Sequence, residues 1–90
     1  MEINVGKRAL FVGDDEKSAK TYITYVQDEN DNYRIDHTYV DESLKGKGVA
    51  GKLVEAMIRK ARYDEKKLVP VCPYVVKYFE KHPENKDILA

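Results

Sequence analysis

The run Lys45-Gly46-Lys47-Gly48-Val49-Ala50-Gly51 carries the residue types that hold an anion. Glycines let the backbone turn tightly and approach a ligand. A helix starting near Val49 would aim its first N–H groups and the positive end of its dipole at the same point. Lys45, Lys47 and Lys52 add positive charge, so a pyrophosphate is the natural occupant. Two other side chains could do chemistry. Histidine is a common general base, so His37 could take that role, with Asp36, Glu42 or water as substitutes. Cys72 precedes Pro73 at the start of a helical pattern, where a helix dipole lowers a thiol pKa; a free cysteine is equally at home as a small buried hydrophobe. Tyr74 and Tyr78, four apart on one helical face, could meet a ligand or simply pack. His82, ahead of Pro83, suits a charge complement at a helix C-terminus.

The elements that must position these residues are legible in the periodicity. Arg8 to Val12 reads as a first strand and Ala19 to Val26 as a second, separated by the polar cluster Gly13 to Ser18. Tyr33 to Val40 is a third strand, on which His37 alternates with Ile35 and Tyr39 on one face. Val49, Ala50, Leu53, Val54, Met57, Ile58 and Ala61 form one apolar face of a helix from about Val49 to Arg62, with Glu55 and Arg59 as a favourable i,i+4 pair. Leu68 to Cys72 is a last strand, and Pro73 suits the first turn of a final helix, Tyr74 to Lys81, stopped by His82-Pro83. Short loops force an antiparallel meander through Val40, and the helical crossover returns the chain parallel to it. The expected fold is a mixed α/β (α+β) domain with a parallel pair at the edge of an antiparallel sheet. Ligands of a βαβ unit sit at the carboxyl ends of its strands, here Thr38 to Asp41 and Val71 to Cys72, facing the glycine turn.

Several function classes fall away. No window supplies GxxxxGK[ST], and although Gly46 to Gly51 matches GxGxxG in spacing, the chain leaves no room for a dinucleotide fold around it. Lysine plus arginine and aspartate plus glutamate both number 16, for a net charge of +0, so no global field recruits nucleic acid or membrane. The N-terminus lacks the basic and long apolar regions of a signal peptide, which points to the cytoplasm. One cysteine and two distant histidines give no zinc spacing, so no metal is expected.

The pattern that fits is R/Q-x-x-G-x-G/A, read here as Lys45-Gly46-Lys47-Gly48-Val49-Ala50. His37-Thr38-Tyr39-Val40 precedes it, and Cys72-Pro73-Tyr74-Val75 and His82-Pro83-Glu84 follow it. Over roughly residues 5 to 84 the chain resembles the GCN5-related N-acetyltransferases, in particular their very small YjdJ-like branch. Lys45 departs from the usual Arg or Gln and acts as a point charge, not a bidentate fork. The resemblance implies one acetyltransferase domain over residues 1 to 90, with two main helices. It implies acetyl-CoA as cofactor, its pyrophosphate on the backbone of Lys47 to Ala50 within the Lys45 to Gly51 turn. Pantetheine would run beside Tyr39-Val40, with the thioester near His37, Thr38 and Cys72. An amine would attack the thioester, with a backbone N–H near Thr38 to Val40 as oxyanion donor and Tyr74 or Tyr78 protonating the thiolate. Cys72 could instead accept the acyl group or act as an acid. Because Arg8 already begins the sheet, the acceptor side is expected to be open to an amine, such as that of a protein or peptide. The assembly would be a monomer or weak homodimer. The alternative readings are a module that binds or senses acyl-CoA without transferring its acyl group, and a structural α/β domain.

Overall fold

A computed structural model describes residues 2–90. Five strands form one sheet in the order β1 to β5: β1 (Asn4–Val5), β2 (Ala9–Val12), β3 (Thr21–Gln27), β4 (Tyr33–Tyr39) and β5 (Leu68–Pro70). The first four are antiparallel neighbours, and β5 joins β4 in parallel after α1 (Val49–Tyr63). The parallel pair at the sheet edge therefore forms as its crossover length requires. The chain then enters α2 (Pro73–Lys81) and a 3₁₀ segment, Pro83–Ile88. The backbone beyond it pairs with β5 through Leu68 and Leu89, and the Ala90 N–H donates to the Leu68 carbonyl at 2.9 Å. This contact covers what would otherwise be an open strand edge.

Both helices pack on one face of the sheet. Leu53, Val54, Met57, Ile58 and Ala61 of α1 meet Leu10, Ile23, Tyr25, Tyr33 and Ile35 from the strands, and Val75, Tyr78 and Phe79 of α2 complete the same cluster. The apolar spacing of α1 buries its expected face. Burial at about 25 cal/mol per Å² makes this cluster the main source of stability. The expected Glu55–Arg59 pair is absent from the ion pairs of the described residues; Lys60–Asp64, at 2.7 Å, is the i,i+4 pair that forms. Among the described residues, no helix is long and apolar enough to cross a membrane.

Three boundaries differ from the sequence reading. A two-residue strand, Asn4–Val5, precedes Arg8 at the far edge of the sheet. The last strand stops at Pro70, and Cys72 caps α2 in place of ending β5. A 3₁₀ turn, Glu42–Leu44, separates β4 from the glycine turn, capped by Asp41, whose carboxylate accepts from the Ser43 amide and hydroxyl. Its signal was the Asp-x-Ser spacing of a side-chain cap.

Candidate active site

The glycine turn forms as its composition dictates. Gly46 and Gly48 have φ of 79° and 73°, in the left-handed region that side chains disfavour. Gly48 is the N-cap of α1 and makes no side-chain cap, so among the described residues the leading N–H groups of that helix keep no side-chain partner. A Cβ at Gly46 or Gly48 would meet nothing within 4 Å, so the turn opens toward space. A cleft of about 170 Å³ lies there, walled by Val40, Leu44, Ala50 and Tyr74. Lys45 pairs with Glu42 at 3.1 Å, while Lys47 and Lys52 make no ion pair among the described residues. Uncapped amides, left-handed glycines and unpaired lysines suit a phosphate.

The other wall of the site comes from β4. Tyr25 pairs with Ile35 but Thr24 pairs with His37, so Asp36 is an extra residue, a bulge in β4. The Thr24 hydroxyl holds that irregularity by accepting from the His37 N–H at 3.0 Å. Here the alternation expected from the sequence is overturned. Ile35 faces the helices, Thr38 shares the Ile23 side, and His37 and Tyr39 project from the opposite face with Thr24 and Tyr22. His37 is exposed, and Tyr39 tilts against Tyr22 with ring centroids 5.9 Å apart. The strand-by-strand pattern could not reveal this, because a bulge is a property of the pair.

β4 and β5 also part company at this point. Their last paired residues are Ile35 and Pro70, and the Val71 and Cys72 amides converge on the Ile35 carbonyl at 3.0 and 3.1 Å. Beyond Ile35 no strand among the described residues lies beside this edge of β4. Cys72, 7% exposed, lies across this gap with its Sγ 3.7 Å from the Thr38 hydroxyl. Burial pushes the Cys72 thiol up. The Val75 amide, the Thr38 hydroxyl and the Tyr74 and Thr38 amides outweigh it, and the net shift is downward. The structure thus brings Cys72 to Thr38 and separates both from His37, which stands on the other face.

The substitute bases are engaged. Arg34 binds Asp36 at 2.9 Å and holds its carboxyl below the usual range. Glu42 is paired with Lys45. Tyr74 walls the glycine cleft, whereas Tyr78, 8% exposed, lies deeper; its phenol is pushed up by burial and by Glu55, Glu84 and Tyr74. His82 stacks on Tyr78 at 4.2 Å and contacts Glu84 at 3.3 Å. On the face opposite the helices Phe11 is buried, and Glu16, Lys17 and Ala19 wall a cavity of about 650 Å³ over Ala9, Tyr22 and Thr24. Thr24 and Thr21, whose hydroxyl accepts from the Asp41 amide at 3.0 Å, are positioning residues that strand alternation alone does not mark.

Comparison with known proteins bears on the family and the fold. The family described as GCN5-related N-acetyl-transferase matches residues 9–88. A solution structure of a GCN5-like candidate N-acetyltransferase from Staphylococcus aureus superposes with a TM-score of 0.79 at 35% identity, covering 99% of this chain and 87% of that one. A search of curated proteins finds no match. The match spans the sheet, the glycine turn, Cys72 and α2 alike, and the chain therefore belongs to the GCN5-related N-acetyltransferase family of acyl-transferring enzymes.

Proposed function

We propose that residues 1–90 act as one cytoplasmic domain, a monomer or weak homodimer, that transfers an acetyl group from acetyl-CoA to an amine of a protein or peptide. The observation that carries this reading is the divergence of β4 from β5 beyond Ile35, beside an uncapped helix start at Gly48. A free strand edge can align an extended chain, and the adjacent amides can take its phosphates. The residues fit the donor: amides of Lys47 to Ala50 for the pyrophosphate, Tyr39 and Val40 along the pantetheine, and Thr38 and Cys72 at the thioester.

When bound, acetyl-CoA supplies an activated acyl carbon and a thiolate leaving group. His37 accepts the proton of the attacking amine from the exposed face of β4. The Thr38 amide, one of the groups that lower the Cys72 thiol, donates to the developing oxyanion. Tyr74, at the cleft wall, or Tyr78, which burial keeps protonated, returns a proton to the departing sulfur. Cys72 fixes the width of the gap through Thr38.

Calorimetric titration of CoA into wild type and Gly48→Glu tests the placement. The variant adds a carboxylate at a left-handed residue and removes access to two or more amides, each charge-assisted bond worth about 1.5–3 kcal/mol. Affinity should fall by at least about 100-fold. A folded Gly48→Glu protein that binds CoA like wild type overturns it.

A further inference from the structure

The face of the sheet turned away from the helices carries a cavity of about 650 Å³ that the chemistry proposed above does not use. Its floor is Ala9, Tyr22 and Thr24. Its rim is the segment joining β2 to β3, which Glu16 fastens in place: the Glu16 carboxylate accepts from the Lys7 amide at 3.1 Å and the Arg8 amide at 2.7 Å. Gly6 makes room for that docking, since a Cβ there would stand 2.4 Å from the Glu16 carboxyl carbon. The fold itself therefore holds the cavity in shape.

The charges around it are unbalanced. Lys7, Arg8 and Lys17 line the cavity, are exposed and appear in no ion pair of the described residues. Among those residues Glu16 is the one acid on its walls, and its oxygens are already turned to backbone amides. Asp14 and Asp15 of the same segment wall a different cleft, with Thr21 and Asp41. Three cations against one engaged carboxylate in a concave site raise the local concentration of an anion. The cavity also adjoins the candidate base. Ala9 pairs with Thr24 and Thr24 with His37, so His37 stands two strand spacings, about 10 Å, from the residue that follows Arg8. An extended peptide advances about 3.3 Å per residue, so an acid three residues from an amine matches that span. A free amino acid, whose carboxylate and amine share one carbon, does not.

We infer that this cavity selects the acceptor: an amine carried on an acidic peptide segment, whose carboxylates about three residues away are held by Lys7, Arg8 and Lys17 while the amine reaches His37. The inference rests on the transfer reading above and names the chemistry of its acceptor. In the transfer the neutral amine nitrogen bonds to the acetyl carbon as the carbon–sulfur bond breaks, the electron pair leaves with the CoA sulfur, and His37 takes the amine proton. The three cations hold the peptide's acids equally before and during that step, so they act on KM more than on kcat.

The test is steady-state acetylation by the intact protein with acetyl-CoA and two matched pairs of peptides, each peptide with a single amine. That amine is an α-amine in one pair and a lysine ε-amine in the other. Within a pair the peptides differ only in carrying glutamate or glutamine at the second, third and fourth residues beyond the amine. In the pair whose amine the protein uses, glutamate should raise kcat/KM at least about tenfold, through KM, as a charge-assisted contact allows. Lys7→Gln/Arg8→Gln/Lys17→Gln keeps the amides that hold Glu16 and should erase that preference, with circular dichroism and CoA affinity matching wild type. Lys17→Glu alone, in the exposed joining segment, should lower it as well. Equal or reversed kcat/KM in wild type overturns the acidic acceptor and leaves the transfer reading standing. A preference that survives in the triple variant overturns the assignment to Lys7, Arg8 and Lys17. Acetylation of no peptide by a protein that binds CoA overturns the transfer reading and the inference with it. A dimer in sedimentation velocity that the triple variant dissolves gives the cavity to a second copy of the chain and overturns the inference too.

Discussion

The two halves of β4 share one strand and do opposite work. Tyr33 to Ile35 is paired on both sides, to β3 and to β5, and Tyr33 and Ile35 are buried beneath the helices. His37 to Tyr39 is paired to β3 alone, with the unpartnered edge facing Cys72. Asp36, the bulged residue, is the hinge between them. A strand that continued regularly would turn Thr38 away from Cys72. The difference teaches that this small sheet makes its cleft by withholding pairing, and that its stability must come from the half that keeps it.

That contrast can be broken at either end. The largest effect is expected at His37: if it serves as the base, His37→Ala should lower kcat by about 10²–10⁴-fold. Its stability and CoA affinity should stay near wild type, because His37 is exposed and remote from the glycine turn. Steady-state rates across neutral pH beside CoA titration check this, and full activity removes His37 from the mechanism. Ile35→Ala does the reverse. Ile35 is 0% exposed, and truncating a buried Ile costs about 2–5 kcal/mol, which urea denaturation would measure. A loss below about 1 kcal/mol would mean that the paired half is not the anchor.

Smaller changes sharpen the comparison. Thr38→Val removes the hydroxyl beside Cys72, one of the groups that holds its thiol down. Alkylation of Cys72 at neutral pH should slow about fivefold, as loss of a hydrogen bond of about 1 kcal/mol implies. An unchanged rate would return Cys72 to the role of a packing residue. At the paired end, the Lys60 ammonium and the Tyr33 hydroxyl hold the Asp64 carboxyl below its ordinary range. A carboxyl depressed by folding contributes fully above its unfolded pKa and loses that contribution as pH falls through its native value. Asp64→Asn should therefore lose a little stability near neutrality and flatten the acid limb of a denaturation profile. An identical acid limb in both proteins would show that this anchor contributes nothing.

Local features of the chain were legible because their causes are local. The α1 face from Val49 to Ala61 follows helical periodicity, and the left-handed Gly46 and Gly48 follow from the residues that tolerate them. The crossover length alone makes β5 parallel to β4. The candidate site was legible only in part. Alternation set His37 with Ile35, yet the register with β3 inserts Asp36 and sends His37 to the other face. Neither the bulge nor the Thr24 hydroxyl that holds it is written in β4 itself. By itself the sequence determined the glycine turn, the helices and the order of the strands from Ala9 onward, since these depend on local residue types and on the lengths of the segments that join them. Only the tertiary structure decided that Cys72 meets Thr38 and not His37, and that Arg8 and Lys17 share a cavity with Thr24. Both facts arise from strand register and packing, which join residues far apart in the chain.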